Sequence, residues 1–375
     1  MRGEGRDMVP ASFPVPYDSL QLVEDEDLYL ANPVSMDVEG PQEGGDFQVL
    51  WVADVIAGMI LGFDGSGAVI RQFGSRGSGP NEFEALYGVL GVPKGLIAGD
   101  MRRRELKLFD PDEGELLNLI SHGDGRIGRS RPIRPPSEDE PGWLVSMMLA
   151  SEQSPLATLS FESGELNPLG RLPEPYRRSL GAYRGFAMYF SHTYAEPLSP
   201  DSLLLAYGGV TDLEVYRIST GEQTLVGRVP ERFRKGQPAD LWRSFDVREE
   251  FGEGLPHDWA SVTEGMWVTS DGRIVVVHID DDFAEDPPPL ALYATAYLTV
   301  LYPERDAACV DLVLPFQEEI RPIFTFGGDT LFGLERRLTE GLESEIWLLK
   351  LPIPEWDECP EVHRAHGWQV GDEEA

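Results

Sequence analysis

Lysine, histidine and cysteine are scarce in this sequence of 375 residues. Only four of its 31 basic residues are lysine, and it contains six histidines and two cysteines. Against 65 acidic residues, the formal net charge is −34. A surface this acidic repels nucleic-acid phosphates, which are bound mainly through Lys and Arg, and it disfavours anionic membrane surfaces. We therefore expect no nucleic-acid partner.

Long apolar runs are also missing. No stretch of about 20 apolar residues is present, so the sequence predicts no transmembrane helix and no membrane insertion. Residues 1–19 lack the apolar core that a signal peptide requires. These two absences leave the localisation of the protein open.

The two cysteines are far apart in the sequence. Cys309 lies in a strand-like run and Cys359 in a polar stretch. No CxxC pair accompanies either residue, which argues against a structural zinc site. A Cys309–Cys359 disulfide is the alternative to two free thiols, and free thiols are expected.

Glycine and proline, by contrast, are abundant. Forty glycines and 30 prolines without a regular period indicate many turns. Asp-Gly, Ser-Gly and Thr-Gly pairs separate short apolar runs along the chain. Helical periodicity is weak, and its best example, Ala239–Phe251, predicts a short helical insertion. The pattern is typical of an all-β protein.

One unit of this strand-and-turn pattern is clearer than the others. An apolar strand from Met59 reaches the turn Asp64–Gly65, a second strand runs to Gly74, and a glycine-rich connection leads to Phe83. Asp-Gly supplies the positive φ and the side-chain hydrogen bond that a tight hairpin needs. We expect Phe73 and Phe83 to fill the wedge between neighbouring sheets. Weaker copies recur, and counting them predicts six four-stranded units.

The sixth unit is one strand short, whereas Ser19–Val23 is an apolar segment without a unit of its own. An unpaired sheet edge exposes a row of backbone donors and acceptors. We therefore predict that Ser19–Val23 supplies the outer strand of the last unit and closes a ring. The expected organisation is a flexible segment over residues 1–17, a propeller over 18–354 and an acidic tail over 355–375.

The run GFDGSGAVIRQFGSRGSGPNEF resembles the blade signature of NHL-repeat proteins, in which an Asp-Gly hairpin precedes a G-x-x-G-x-G-P-x-x-F connection. The chain as a whole is similar to bacterial six-bladed β-propellers of the NHL and TolB-like group. This resemblance implies a single all-β propeller of four-stranded antiparallel blades, with the N-terminal strand closing the last blade. Members of this group are often periplasmic or lipid-anchored, and many have no assigned activity.

The acidic run 280–286, DDDFAED, is the main candidate for a metal site. Clustered carboxylates bind calcium, which takes six to eight oxygen ligands, so Asp280, Asp281 and Asp282 are its candidate ligands. The spacing does not match an EF-hand loop, and we expect a solvated acidic loop. No cofactor is expected, with calcium as the alternative.

Three other groups of residues have a chemical and a structural interpretation. His278 lies in a strand-like run near Asp280, but without a partnered nucleophile we expect a packed or surface histidine. His363 and His366 have the residue types to hold a transition metal together with Cys359, yet their acidic surroundings favour a disordered tail. Arg102–Arg104 form the densest basic cluster, for which we expect a solvated turn with local ion pairs.

No GxSxG elbow, P-loop, HExxH motif or dinucleotide fingerprint occurs in a suitable context, so no catalytic residue is assigned. We expect a non-enzymatic binding or protein-interaction module, because a propeller presents many loops on a rigid ring. The partner is an unknown protein or small molecule, and the protein is expected to be a monomer. The alternative is a calcium-assisted hydrolase, lactonase or lyase that uses the propeller channel. The scarcity of asparagine argues against that alternative.

Overall fold

The structure is a computed structural model of the chain. It describes residues 11–23, 30–40, 46–92, 95–121, 127–133, 142–149, 154–160, 165–173, 193–208, 210–229, 262–283, 292–316, 322–338 and 344–364. These residues form 25 β-strands and two single turns of 3-10 helix, Pro303–Arg305 and Trp356–Glu358. Among them, no helix has the length and apolar character of a membrane span.

The strands form six antiparallel sheets, of which the first three have four strands each. The first strand in the chain, β1 (Asp18–Leu22), belongs to the last sheet. Sheet 1 contains β2 (Pro33–Glu39), β3 (Val49–Asp54), β4 (Met59–Phe63) and β5 (Val69–Phe73). Sheet 2 contains β6 (Leu86–Val92), β7 (Gly95–Asp100), β8 (Glu105–Phe109) and β9 (Leu116–Ser121). Sheet 3 contains β10 (Ile127–Ile133), β11 (Gly142–Leu149), β12 (Leu156–Ser160) and β13 (Leu166–Leu169).

The other three sheets follow the same plan with two additions from distant parts of the chain. Sheet 4 contains β14 (Thr193–Ser199), β15 (Ser202–Tyr207), β16 (Val210–Arg217) and β17 (Gln223–Arg228). Sheet 5 contains β18 (Val262–Val268), β19 (Ile274–Phe283), β20 (Leu292–Tyr302), β21 (Ala307–Val313) and β25 (Val362–Arg364). Sheet 6 contains β22 (Ile323–Gly327), β23 (Thr330–Leu338), β24 (Ser344–Pro352) and β1, in the order β22-β23-β24-β1.

The first strands of consecutive sheets contact one another around a common axis. β2 contacts β6, β6 contacts β10, and the series continues through β14 and β18 to β22, which contacts β2. Sheets arranged in this way form a β-propeller. The propeller architecture and the four-stranded antiparallel blade are therefore confirmed, whereas the count of six blades stays a prediction. The helix predicted over Ala239–Phe251 lies outside the described residues.

Sheets 1 and 2 show how apolar burial holds neighbouring blades together. Every residue of β3 and of β7 is buried. Between the two sheets, the ring of Phe109 stacks on Phe73 with centroids 6.3 Å apart and lies 6.0 Å from the ring of Phe83. Burial of one such side chain contributes on the order of 2–3 kcal/mol. The wedge predicted for Phe73 and Phe83 is confirmed.

Sheets 1 and 2 share an aspartate at the end of their second strand. The carboxylate of Asp54 accepts hydrogen bonds from two N–H groups of the turn that follows and from one N–H at the start of sheet 1. Asp100 accepts equivalent bonds in sheet 2. The same turn places Gly58 and Arg104 in the left-handed region, at φ 65° and 58°. The two sheets are thus copies of one repeat, as the sequence indicated.

The N-terminal strand closes sheet 6 in the predicted way. β1 pairs with β24 over five residues, from Asp18 opposite Lys350 to Leu22 opposite Ile346. The side chain of Leu22 is 2% exposed and packs in an apolar cluster that joins sheets 6 and 1. The N–H of Val23 then donates to the carbonyl of Gly67 in sheet 1, at 2.8 Å. The strand therefore links the last sheet to the first.

The segment after sheet 6 is not a free tail. The hydroxyl of Tyr302 donates to the carbonyl of Pro354 at 2.9 Å, and burial raises the pKa of Tyr302 to about 12. Trp356 packs edge-on against the ring of Tyr302. Beyond it, β25 pairs with the outer edge of β21. The folded part of the chain therefore extends past residue 354, to Arg364.

A disulfide between Cys309 and Cys359 fixes this segment on sheet 5. The expectation of free thiols is wrong, because pairing of β25 with β21 and the packing of Trp356 bring two cysteines 50 residues apart within bonding distance. The disulfide also removes Cys359 as a candidate metal ligand beside His363. In the loop-entropy model, closing a loop of this length stabilises the fold by about 4 kcal/mol.

Leu22→Ala tests the closure of the ring. Removing a buried leucine side chain at this seam should lower the free energy of unfolding by about 2–4 kcal/mol, because it leaves a cavity between sheets 6 and 1. Val23→Ala is the control, since Val23 is 57% exposed and its loss should cost less than about 0.5 kcal/mol. Urea unfolding measures both. Equal stability of the two variants would contradict the closure.

Candidate functional site

A cavity of about 320 Å³ lies at the centre of the ring, where the first strands converge. Its walls come from β2, β6, β14, β18 and β22, so five different sheets contribute side chains to it. Propeller geometry creates this convergence, because the inner edge of each blade's first strand lies along the axis. Consecutive residues such as Thr193–Glu196 therefore line the cavity. We refer to this cavity as the channel.

Three carboxylates line the channel: Asp37 from β2, Glu196 from β14 and Glu264 from β18. Asp37 is 5% exposed, and its carboxylate accepts hydrogen bonds from the N–H of Gly91 (2.7 Å) and from the hydroxyl of Thr325 (3.3 Å). It therefore ties sheet 1 to sheets 2 and 6. Glu196 and Glu264 are half-buried. Among the described residues of the channel wall, no lysine, arginine or histidine is present.

Aromatic side chains form the other part of the wall. Trp267 of sheet 5 stacks on Phe326 of sheet 6 with ring centroids 6.0 Å apart, and both line the channel. Tyr194 from sheet 4 joins them there. The indole of Trp267 lies directly over Gly265, where an added Cβ would overlap the ring. Gly265 is therefore required by the close approach of the tryptophan.

Thr193 adds a buried polar atom to the channel wall. It is 4% exposed, and its Oγ1 has no hydrogen-bond partner within the part of the chain that the structure describes. A buried hydroxyl in this state costs free energy unless another group pairs with it. A ligand atom in the channel would be such a group.

The channel wall can be compared in composition with known ligand sites. It combines apolar area, negative charge and a few polar atoms, which is the usual composition of small-molecule sites. Across the residues that the structure describes, no three His, Cys, Asp or Glu side chains are arranged to hold a metal ion.

The structure places the sequence-predicted metal candidates elsewhere. Asp280, Asp281 and Asp282 are residues of β19, so the interpretation of the whole run as a loop is wrong. The strand continues to Phe283 because it pairs with β20 over ten residues. Asp280 is 4% exposed. Calcium binding by these three residues stays a prediction.

His278 is a packed histidine, one of the two alternatives left by the sequence. It is fully buried in sheet 5, and its ring stacks on Tyr297 with centroids 4.9 Å apart. Its Nε2 lies 3.7 Å from Oδ1 of Asp311. His363 pairs with β21 through β25 and has its Nε2 3.6 Å from Oε1 of Glu361, while His366 lies beyond the described residues.

The arginine triplet occupies the turn between β7 and β8, as expected. Arg103 forms an ion pair with Glu105 at 2.9 Å. Nearby, Lys107 is fully buried, with its Nζ 3.8 Å from the same carboxylate and 4.7 Å from the ring centre of Phe83. Burial lowers the pKa of Lys107, against the opposing effect of Glu105. Lys107 also donates to the carbonyl of Glu82, so this cluster is structural.

The sequence alone does not single out the residues that line the channel. Glu196 and Glu264 are ordinary acidic residues in a chain with 65 of them, and they are 68 positions apart. The one usable signal is their position on the first strand of a repeat, which is the strand that faces the axis.

The chain matches no protein-family model and is not significantly similar to any curated protein. Its fold, however, resembles solved structures. A member of the DUF4221 family from Bacteroides vulgatus is similar over 94% of this chain and 98% of its own, at 12% identity and a TM-score of 0.60. A protein of Bacteroides fragilis NCTC 9343, named as a candidate exported protein, is similar over 92% and 97%, at 11% identity and a TM-score of 0.58.

These likenesses support one conclusion. The chain is a β-propeller. At 11 and 12% identity they show the fold alone, so membership of the NHL or TolB-like group stays a prediction. A streptogramin B lyase is also similar, at 11% identity and a TM-score of 0.49.

Gly265→Ala tests the channel geometry. The added methyl group should displace the indole of Trp267 and lower the free energy of unfolding by about 1–3 kcal/mol. Combined with Trp267→Leu, the same substitution should cost much less, because the ring that it meets is gone. Gly65→Ala is the control, since no atom lies within 4 Å of the position that its methyl group would occupy. Thermal unfolding of the four variants measures this. A cost of Gly265→Ala that is unchanged by Trp267→Leu would contradict the geometry.

Proposed function

We propose that the protein is a non-enzymatic binding module whose ligand lies in the central channel of a six-bladed propeller. The observation that carries the proposal is the channel wall, in which aromatic rings, carboxylates and the buried hydroxyl of Thr193 face one cavity. A volume of about 320 Å³ falls within the range of small-molecule sites. The ligand is taken up by the monomer, since all five contributing strands belong to one chain.

The count of six blades is part of this proposal. Six hydrogen-bonded sheets support it, and so does the closed series of contacts between their first strands, which ends with β22 against β2. A crystal structure with another number of sheets around the axis would contradict the count.

A blocking variant tests the site. Ser270 is exposed and lines the channel, so Ser270→Trp should fill the mouth of the channel without disturbing the core. Ser121→Trp, on the outermost strand of sheet 2, is the matched control. We expect a library of neutral, cationic and anionic small molecules to contain ligands that raise the Tm of the wild type and of Ser121→Trp, but not that of Ser270→Trp.

Two results would overturn the proposal. One is that no compound in the library raises the Tm of the wild type without also raising that of Ser270→Trp. The other is metal-dependent turnover of ester or lactone substrates that Ser270→Trp abolishes, which would favour the hydrolase or lactonase alternative.

We also propose that the protein acts outside the cytoplasm. Disulfides persist in oxidising compartments and are rare in the cytosol, and the Cys309–Cys359 bond supports such a location. The similar protein of Bacteroides fragilis is itself named as a candidate exported protein.

Thiol trapping in the native host tests the location. Rapid acid quenching, followed by alkylation and mass spectrometry, should find both cysteines oxidised in cells at steady state. Denatured, reduced protein treated in the same way is the control for complete alkylation. Two alkylated cysteines in the quenched cells would contradict the extracytoplasmic location.

A further inference from the structure

We infer that a second cleft, between sheets 1 and 2, binds a small organic dianion, that is, a phosphate monoester or a dicarboxylate that also carries an apolar group. The described linings of this cleft and of the channel have no residue in common, so this is a separate site. Three observations support the inference: the turns that form the cleft, the arginines that line it and the apolar side chains beside them.

The cleft has a volume of about 530 Å³ and lies between the turn after β3 and the equivalent turn after β7. Hydrogen bonds fix the backbone of both turns. The carboxylate of Asp54 accepts bonds from two N–H groups of the first turn, and that of Asp100 accepts two from the second. The N–H of Met101 donates to the carbonyl of Ala85 at 2.9 Å, which attaches the second turn to the connection between the sheets. The walls of the cleft are therefore held in place by the backbone.

Arg76 reaches the cleft from that connection. Its backbone pairs with Phe83 in an isolated bridge. On its other side the backbone of Arg76 lies against Gly58 of the first turn, where an added Cβ would be 2.8 Å from the Cα of Arg76. The position of Arg76 beside the turn is therefore set by two independent contacts.

Three arginines line the cleft: Arg76, Arg102 and Arg104. Within the described part of the chain, none of their side chains forms an ion pair or a hydrogen bond. Arg103, in contrast, pairs with Glu105 at 2.9 Å and belongs to the structural cluster around Lys107. The chain has 65 acidic residues against 31 basic ones, so composition alone would give each arginine a carboxylate neighbour. The three guanidinium groups are thus available to a ligand.

The charge of the lining indicates a ligand with two negative charges. Glu84 is the one acidic residue in the described lining, against the three arginines. A guanidinium group offers a planar set of N–H donors that matches a carboxylate or a phosphate in two parallel hydrogen bonds. Phosphate monoesters and dicarboxylates both carry about two negative charges at pH 7.

The net charge of the chain limits the size of the anion. A charge of −34 opposes anions at long range, but at physiological salt such fields are screened beyond about 8 Å. The arginines therefore determine the potential inside the cleft. A nucleic acid would place further phosphates on the acidic surface outside it, which favours a small ligand.

Apolar side chains from both turns favour an organic anion over an inorganic one. Val55 and Ile56 come from the first turn and Met101 from the second. Ile56 is 51% exposed. An apolar group on the ligand would remove this surface from water, whereas an inorganic anion would leave it exposed.

Four compounds separate the effect of charge from that of apolar contact. Phenyl phosphate and phenylmalonate carry a phosphate or two carboxylates on the same ring, benzyl alcohol has the ring without charge, and inorganic phosphate has the charge without the ring. By isothermal titration calorimetry at about 0.15 M salt, we expect at least one aromatic dianion to bind about tenfold or more tightly than benzyl alcohol. It should also bind about threefold or more tightly than inorganic phosphate. The tighter of the two dianions identifies the preferred acidic group.

Variants of the lining locate the dianion in the cleft. Arg76→Gln, Arg102→Gln and Arg104→Gln should each raise its Kd about fivefold or more, through the loss of a charged hydrogen bond. Arg217→Gln is the matched control, since it removes the same charge from an exposed position at the end of β16 and should leave the Kd within about twofold. Ile56→Ser should weaken the aromatic dianion about threefold and leave inorganic phosphate within about twofold. Circular dichroism checks that each variant is folded.

The outcomes separate this site from the channel. Dianion binding that Ser270→Trp leaves unchanged and the three arginine variants weaken would support the inference. Binding that Ser270→Trp abolishes would place the ligand in the channel, so the second site would be wrong while the function proposed for the channel would be supported. The inference is also overturned if neither dianion binds, if benzyl alcohol binds as tightly as the dianions, or if Arg217→Gln weakens binding as much as Arg102→Gln does.

Discussion

A ring of sheets keeps its shape only when its last sheet is bonded back to the beginning. In this chain, backbone pairing between Asp18–Leu22 and Ser344–Pro352 provides that bond, and the buried side chain of Leu22 strengthens it. Without this strand, β24 would present an open edge, and sheets 6 and 1 would meet through side chains alone. The positions of the strands around the axis, and therefore the channel, follow from this closure.

The channel shows how a repetitive scaffold acquires a particular chemistry. The strands that form its wall have the same structural role in each sheet, yet they carry different side chains there: a carboxylate in β2, a threonine, tyrosine and glutamate in β14, and a tryptophan in β18. Asp37 has two roles, since its hydrogen bonds hold three sheets together while its charge faces the cavity. One residue at the axis therefore both joins three sheets and contributes to the cavity wall.

The local features of the fold and the closing strand were predictable from the sequence, whereas the disulfide and the channel were not. The hairpin at Asp64 and the wedge of Phe73 and Phe83 depend on neighbouring residues, so their pattern is visible in one repeat. The positive φ expected at Gly65 lies instead at Gly67, at 83°, because the turn runs on to Ala68. The N-terminal strand could be predicted because the last unit of the repeat is one strand short. The Cys309–Cys359 bond depends on where residues 353–364 cross to sheet 5, and the channel depends on which residues of five distant strands face the axis. Composition and spacing contain no record of either arrangement.

The outer edge of β21 is covered from two directions. β25 pairs with Ala307–Cys309 at one end of this strand, and residues 11–13 pair with Val313 at the other. Together the two segments bond to backbone groups at both ends of an edge that would otherwise be open to pairing with another chain. The Cys309–Cys359 bond keeps the second segment in place. Sheet 5 therefore offers less free edge for edge-to-edge association than its own four strands would leave.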